Sequence, residues 1–168
     1  MEFQDMIFLS EIVLQSKVAQ RSAEHLQAAN ESFDQTEIWD SIQSILVATG
    51  NVSKILWPNK KYEKRGERLR QILKVEQNNP LNNRKFRNHF FEHYDELVEE
   101  WFKNHANGVY IDLAMNPSLY GGRTGNTHRG YNSFNNTLLF RGELFDLNIV
   151  LNALEVISSN CKGLVLES

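Results

Sequence analysis

From Gln4 to about Ala29 neither glycine nor proline interrupts the chain, and apolar side chains return at helical spacing through Met6, Ile7, Val13, Leu14, Val18 and Leu26. Such a stretch commits the N-terminal part to a long amphipathic helix, with these apolar residues expected on its inner face. Asn30 to Thr36 holds turn and capping chemistry, with Asp34 and Thr36 as candidate N-caps for a second helix. That helix carries Ile38, Ile42, Ile45, Leu46, Val52 and Leu56, with Gly50 marking a kink or a close contact and Pro58 ending it. A third, basic on its outer face, covers Lys64 to Val75 with Leu69, Ile72 and Leu73 inside, until Gln77-Asn78-Asn79-Pro80 breaks it. Asn82 or Asn83 caps a fourth that runs to about His105, and Leu147 to Ser159 forms the last, through Val150, Leu151, Leu154 and Ile157.

Between the last two helices the texture changes. Residues 109–113 and 137–141 are rich in β-branched and aromatic residues and are expected to be strands that pair with each other. The polar stretch from Asn116 to Asn136, with Gly121, Gly122, Gly125, Gly130, Arg123, His128 and Arg129, reads as a long mobile loop and lacks the lysine and spacing of a phosphate-binding P-loop. The expected fold is therefore mainly α: an antiparallel helical bundle in one domain over 1–168, with a strand pair and polar loop over 109–145 before the last helix.

Composition bounds the chemistry. At 168 residues, 41% hydrophobic and 23% charged, the chain is a globular one with enough length for one core. The single cysteine, Cys161, excludes an intrachain disulfide and any zinc site built on several thiolates. No run approaches the roughly 20 apolar residues of a membrane span, and no basic segment precedes an apolar one at the start. A soluble protein of the reducing cytoplasm is expected, with no membrane partner.

The net charge of −3 hides a sharp asymmetry. Residues 1–53 carry 2 basic and 8 acidic side chains, residues 54–87 carry 11 and 3, and residues 88–168 carry 5 and 10. A basic block inside an acidic chain is either a solvated helix face or a surface for a polyanion. Lys60, Lys61, Lys64, Arg65, Arg68 and Arg84 are the side chains of that block that could hold a polyanion.

On the fourth helix Phe86, Phe90, Tyr94, Leu97, Val98 and Trp101 form one apolar stripe, while Asn88, Glu92, Asp95, Glu96, Glu99 and Glu100 fall opposite. Arg87 lies in the middle of the stripe and His93 at its border. A guanidinium there requires a carboxylate, a polar network or a cleft open to an anion. A structural ion pair with Glu37 or Asp40 is the plainest way to satisfy it.

Arg87, polar Asn88 and, five residues beyond it, His93 resemble the signature of the HEPN family of helical nucleotide-binding proteins and ribonucleases, an arginine followed by a polar residue and then a histidine. A second register, Arg84 to His89, places charged Lys85 after the arginine. The resemblance implies a metal-independent endoribonuclease without a cofactor, in which two subunits bring their motifs together. His93 then moves protons as the 2′-hydroxyl attacks the phosphate, Arg87 stabilises the phosphoryl oxygens, and Asn88 orients His93 or binds phosphate. RNA is the implied partner, with Lys60, Lys61, Lys64, Arg65, Arg68 and Arg84 as its candidate binding residues, Tyr62, Phe91 and Tyr94 as aromatics that could stack on bases or fill the core, and a homodimer through the Phe86 to Trp101 region. The alternative is a non-catalytic module of a toxin-antitoxin or defence pair. His89-Phe90-Phe91-Glu92-His93 also fits the H-x-x-E-H pattern of inverted zinc metallopeptidases, with His89, Glu92 and His93 at the metal and Glu143 or Glu155 completing the shell. The short, mainly helical chain argues against that class.

Overall fold

Asp34 sets the turn that folds the first two helices against each other. Its carboxylate accepts hydrogen bonds from the backbone N–H groups of Thr36 (3.0 Å) and Glu37 (3.1 Å), satisfying two of the donors a helix start leaves open. Just before it, Phe33 takes the left-handed conformation (φ 57°) that closes the preceding helix. The connection is thus Phe33 and Asp34 alone, shorter than the expected Asn30 to Thr36, and Thr36 lies inside the second helix. The computed structural model describes residues 2–85, 88, 94–104, 111–114, 127–140 and 143–165, with backbone only for Tyr94, 111–114, 127 and 128.

The helices are α1 (Phe3–Ser32), α2 (Gln35–Leu56), α3 (Glu63–Leu73), α4 (Tyr94–Asn104) and α5 (Leu147–Cys161). Single 3-10 turns at Lys60–Tyr62 and Pro80–Asn82 precede α3 and the fourth-helix segment. The protein is mainly helical with a small sheet of β1 (Ile111–Ala114), β2 (Thr127–Asn132), β3 (Thr137–Phe140) and β4 (Glu143–Asp146) in spatial order β1-β2-β3-β4. β1 runs parallel to β2, and the other pairs are antiparallel. Among the described residues no helix is long and apolar enough to cross a membrane.

The core fills two adjoining regions. One joins Leu9 and Ile12 of α1 to Val52 and Leu56 of α2, Leu69 and Leu73 of α3, and Val150, Leu154 and Ile157 of α5. The other joins Leu26 and Ala29 of α1 to Ile38, Ile42 and Ile45 of α2, with Tyr131, Leu138 and Phe140 of the sheet laid over them. All six apolar residues expected inside α2 are buried, and the helix runs unbroken through buried Gly50.

Three expectations need correction. In α1 the inner face consists of Asp5, Leu9, Ile12, Ser16, Ala19, Ser22, Leu26 and Ala29, whereas Ile7, Leu14 and Val18 are exposed. Close packing against α2 and α5 selects the stripe rich in small side chains, so the larger residues of the other stripe are left outside. The two expected strands do not pair with each other: β2, drawn from the stretch read as a loop, lies between them. The strand pair is in fact a four-stranded sheet, with Glu143–Asp146 added at its edge.

What turns the polar Thr127–Asn132 segment into a strand is Tyr131. Its ring is 3% exposed, its hydroxyl accepts from Asn30 Nδ2 (3.1 Å) and donates to Asn136 Oδ1 (3.0 Å). Asn136 Nδ2 in turn donates to Asn148 Oδ1 (2.9 Å). This chain of amides ties α1, the β2–β3 turn and the start of α5 together, and burial raises the Tyr131 phenol above its usual range.

The fully buried Asp5 carboxylate accepts from Arg68 Nε (3.0 Å) and Nη2 (2.9 Å) and from the Glu2 backbone N–H (2.8 Å). The Arg68 hydrogen bond holds the Asp5 carboxyl below the ordinary range, against the opposing effect of burial. Because Arg68 keeps 38% of its side chain exposed, the pair ranks between an open and a sealed one. Asp5→Asn is expected to cost about 1–2 kcal/mol at pH 7. A carboxyl depressed in the folded state stabilises above its unfolded pKa, about 3.9, and loses that contribution as pH falls through the lower folded value. In urea titrations the gap between wild type and Asp5→Asn should therefore close in strong acid.

Candidate functional site

The segment that carries Arg87 and His93 is fixed at its entry by short polar contacts. Asn79 Oδ1 accepts from the Leu81 N–H (3.0 Å), which starts the 3-10 turn, and Leu81 is buried in the α2–α5 core. Asn83 Oδ1 then accepts from the Lys85 N–H (3.0 Å), the capping role expected of it. Lys85 Nζ reaches Glu143 of β4 at 2.5 and 2.6 Å, so the edge strand clamps the segment and engages one of the carboxylates considered for zinc. Glu155, the other, lies on exposed α5 surface beside a groove of about 460 Å³ between α1 and α5.

Of the motif residues, Asn88 is described. Its backbone N–H donates to the Arg84 carbonyl (3.1 Å). Its side-chain oxygen is buried with no hydrogen-bond donor among the described residues. A buried amide oxygen left unsatisfied costs about 1–3 kcal/mol, and such costs gather at functional positions. Arg87 and His93 lie outside the described residues, as do His89, Glu92, Phe86 and the base-stacking candidate Phe91. Among the described residues no three metal-ligating side chains converge.

Beyond the motif α4 exposes Asp95, Glu96, Glu99 and Glu100, the solvated acidic face its pattern predicts. Leu97 packs on the core and Trp101 is 4% exposed. This end of the apolar stripe is therefore spent inside the chain rather than on a second subunit.

The basic block divides in two. Arg68 is neutralised by Asp5 and by Glu2 (3.3 Å). Arg65 lies 4.4 Å from the Phe8 ring centre and donates to the Lys54 carbonyl (3.4 Å), while Arg70 donates to the Leu56 carbonyl. These two arginines cover carbonyls at the C-terminus of α2, where the helix dipole favours cations. Arg84 lines a hollow of about 10 Å³ with Thr49, Gly50 and Phe145, room for a water molecule and not for a nucleotide. Lys60, Lys61 and Lys64 are exposed.

Between those lysines stands Tyr62, 46% exposed, with Lys61 Nζ 5.2 Å and the Arg65 guanidinium 5.4 Å from its ring centre. An open ring flanked by cations is a platform on which a base can stack beside its phosphate. Sequence reasoning missed the carbonyl-capping work of Arg65 and Arg70, although two arginines shortly after a helix-ending Pro58 were the available signal. Cys161 is buried and its thiol is pushed up to about 11, which makes it inert. Family models, curated proteins and solved structures compared with this chain give no match.

Proposed function

We propose that the chain is a metal-independent endoribonuclease of HEPN type acting as a homodimer. Arg87 stabilises the phosphate under attack and His93 moves the protons, while Asn88 orients His93 or binds a phosphate oxygen. The observation that carries the reading is the Arg87-Asn88 pair, with His93 five residues beyond Asn88, on the segment that Asn83 and Lys85 anchor. The unsatisfied Asn88 oxygen supports it, since an amide placed to orient a catalytic group needs an acceptor to spare. Lys60, Lys61, Lys64 and Tyr62 hold the flanking strand by phosphate contacts and stacking. Arg68, with two acidic partners, contributes least.

The test is cleavage of single-stranded RNA in EDTA. The expected products end in 2′,3′-cyclic phosphate, and a requirement for magnesium would contradict the mechanism. A folded protein that cuts no RNA would favour the non-catalytic interaction module.

A further inference from the structure

The N-terminal half of α1 is apolar on two opposite sides. Leu9, Ile12 and Ala19 face the core with no exposed surface. About 180° around the helix, Phe3, Ile7 and Leu14 stand 77%, 55% and 52% exposed. They recur at the four-three-four spacing of a coiled-coil seam, with Ser10 as the small residue between Ile7 and Leu14. Around Ser10 the side chains of Phe3, Met6, Ile7, Glu11 and Leu14 rim an open hollow of about 390 Å³.

From this geometry we infer that the outer face of α1 is a self-association seam on which a second copy of this chain lies antiparallel. An antiparallel copy sets Ile7 of each chain into the hollow at Ser10 of the other and Phe3 against Leu14, so every large side chain meets a complementary site over about 16 Å. The charges agree with that direction. Gln4 comes beside Glu11, an amide donor to a carboxylate that also accepts from Gln15 of its own chain (2.7 Å), and Lys17 extends toward Glu2 of the second copy, an exposed carboxylate it would share with Arg68 of that copy. A parallel pair would instead face Lys17 with Lys17 and Arg21 with Arg21, which repel. A four-layer seam is small, so the association is concentration-dependent and not obligate. It stands on the α1 face alone and holds whether or not the chain cuts RNA.

Sedimentation of the full chain over rising concentration tests this. Wild type should move from 19.5 kDa toward twice that mass, and Leu14→Glu, at a half-exposed position, should keep its helical circular dichroism while weakening association at least about tenfold. Orientation is read by oxidation: Ile7→Cys mixed with Ser10→Cys should give a disulfide-linked heterodimer in preference to either variant with itself, and the buried Cys161 does not compete. A chain that stays monomeric to about 1 mM, a Leu14→Glu variant that associates like wild type, or self-linked Ile7→Cys as the main product would each overturn the seam. The last two results concern the α1 face alone and leave the cleavage assay untouched, whereas a strictly monomeric chain would also contradict the proposed homodimer; the variants thus keep the two readings apart.

Discussion

Gly66→Ala is expected to destabilise the protein by about 2 kcal/mol although it adds one methyl group to a helix. Alanine is normally the better helix former by about 1 kcal/mol. Here α3 crosses the end of α2 so closely that a Cβ at Gly66 would sit 2.7 Å from the Leu56 carbonyl oxygen and nearer still to Pro58 Cδ. Neither neighbour is the free end of a flexible side chain, so α3 must move, and overpacking of that kind costs about 3 kcal/mol. The net loss lowers the melting temperature by about 4–8 °C in a chain of this size. Displacing α3 also shifts Arg65 and Arg70 from the α2 carbonyls and tilts the Lys60–Tyr62 turn, so RNA affinity should fall with stability. A calorimetric scan in which Gly66→Ala melts at or above wild type would contradict this packing.

The second large effect is on catalysis. His93→Ala should lower cleavage by about 10²–10⁴, the usual range for removing a general acid or base. Arg87→Ala should lower it by about 10²–10³, as for a lost phosphoryl-oxygen donor. Arg87→Lys should recover little, because a lysine keeps the charge without the two-pronged contact. By contrast, Lys61→Ala should weaken RNA binding several-fold and flatten its salt dependence while leaving the single-turnover rate at saturation near wild type. Single-turnover kinetics with each variant separates the two behaviours. Equal residual rates for wild type and His93→Ala would remove histidine from the mechanism.

How far the sequence discloses this molecule depends on which forces are local. The boundaries of α2 and α5 follow from caps and breakers that act within a few residues: Asp34, Pro58 and Asp146, whose side chain accepts from the Asn148 N–H (2.8 Å). In α1 the helix is evident, but its inner face is not. Two apolar stripes compete, and packing picks the one lined by Ser16, Ala19 and Ser22 over the one that holds Ile7 and Leu14. β2 is the least legible element, since Thr-His-Arg-Gly-Tyr-Asn shows no alternation of apolar residues. It is a strand because Tyr131 finds Asn30, about 100 positions away, a partner no local pattern reveals. At the site, a seven-residue pattern picks out Arg87, Asn88 and His93. The division of the basic block into structural Arg65, Arg68 and Arg70 and exposed Lys60, Lys61 and Lys64 emerges once α3 is laid against α2 and the start of α1.

The most direct measurement of the central claim uses two RNA strands that differ by one oxygen atom. In EDTA, the all-ribose strand should be cut at its preferred bond to leave a 2′,3′-cyclic phosphate, and the strand with a single 2′-deoxyribose on the 5′ side of that bond should stay intact there. Equal cleavage of the two strands, or no cleavage of either, would contradict attack by the neighbouring hydroxyl under the control of His93 and Arg87.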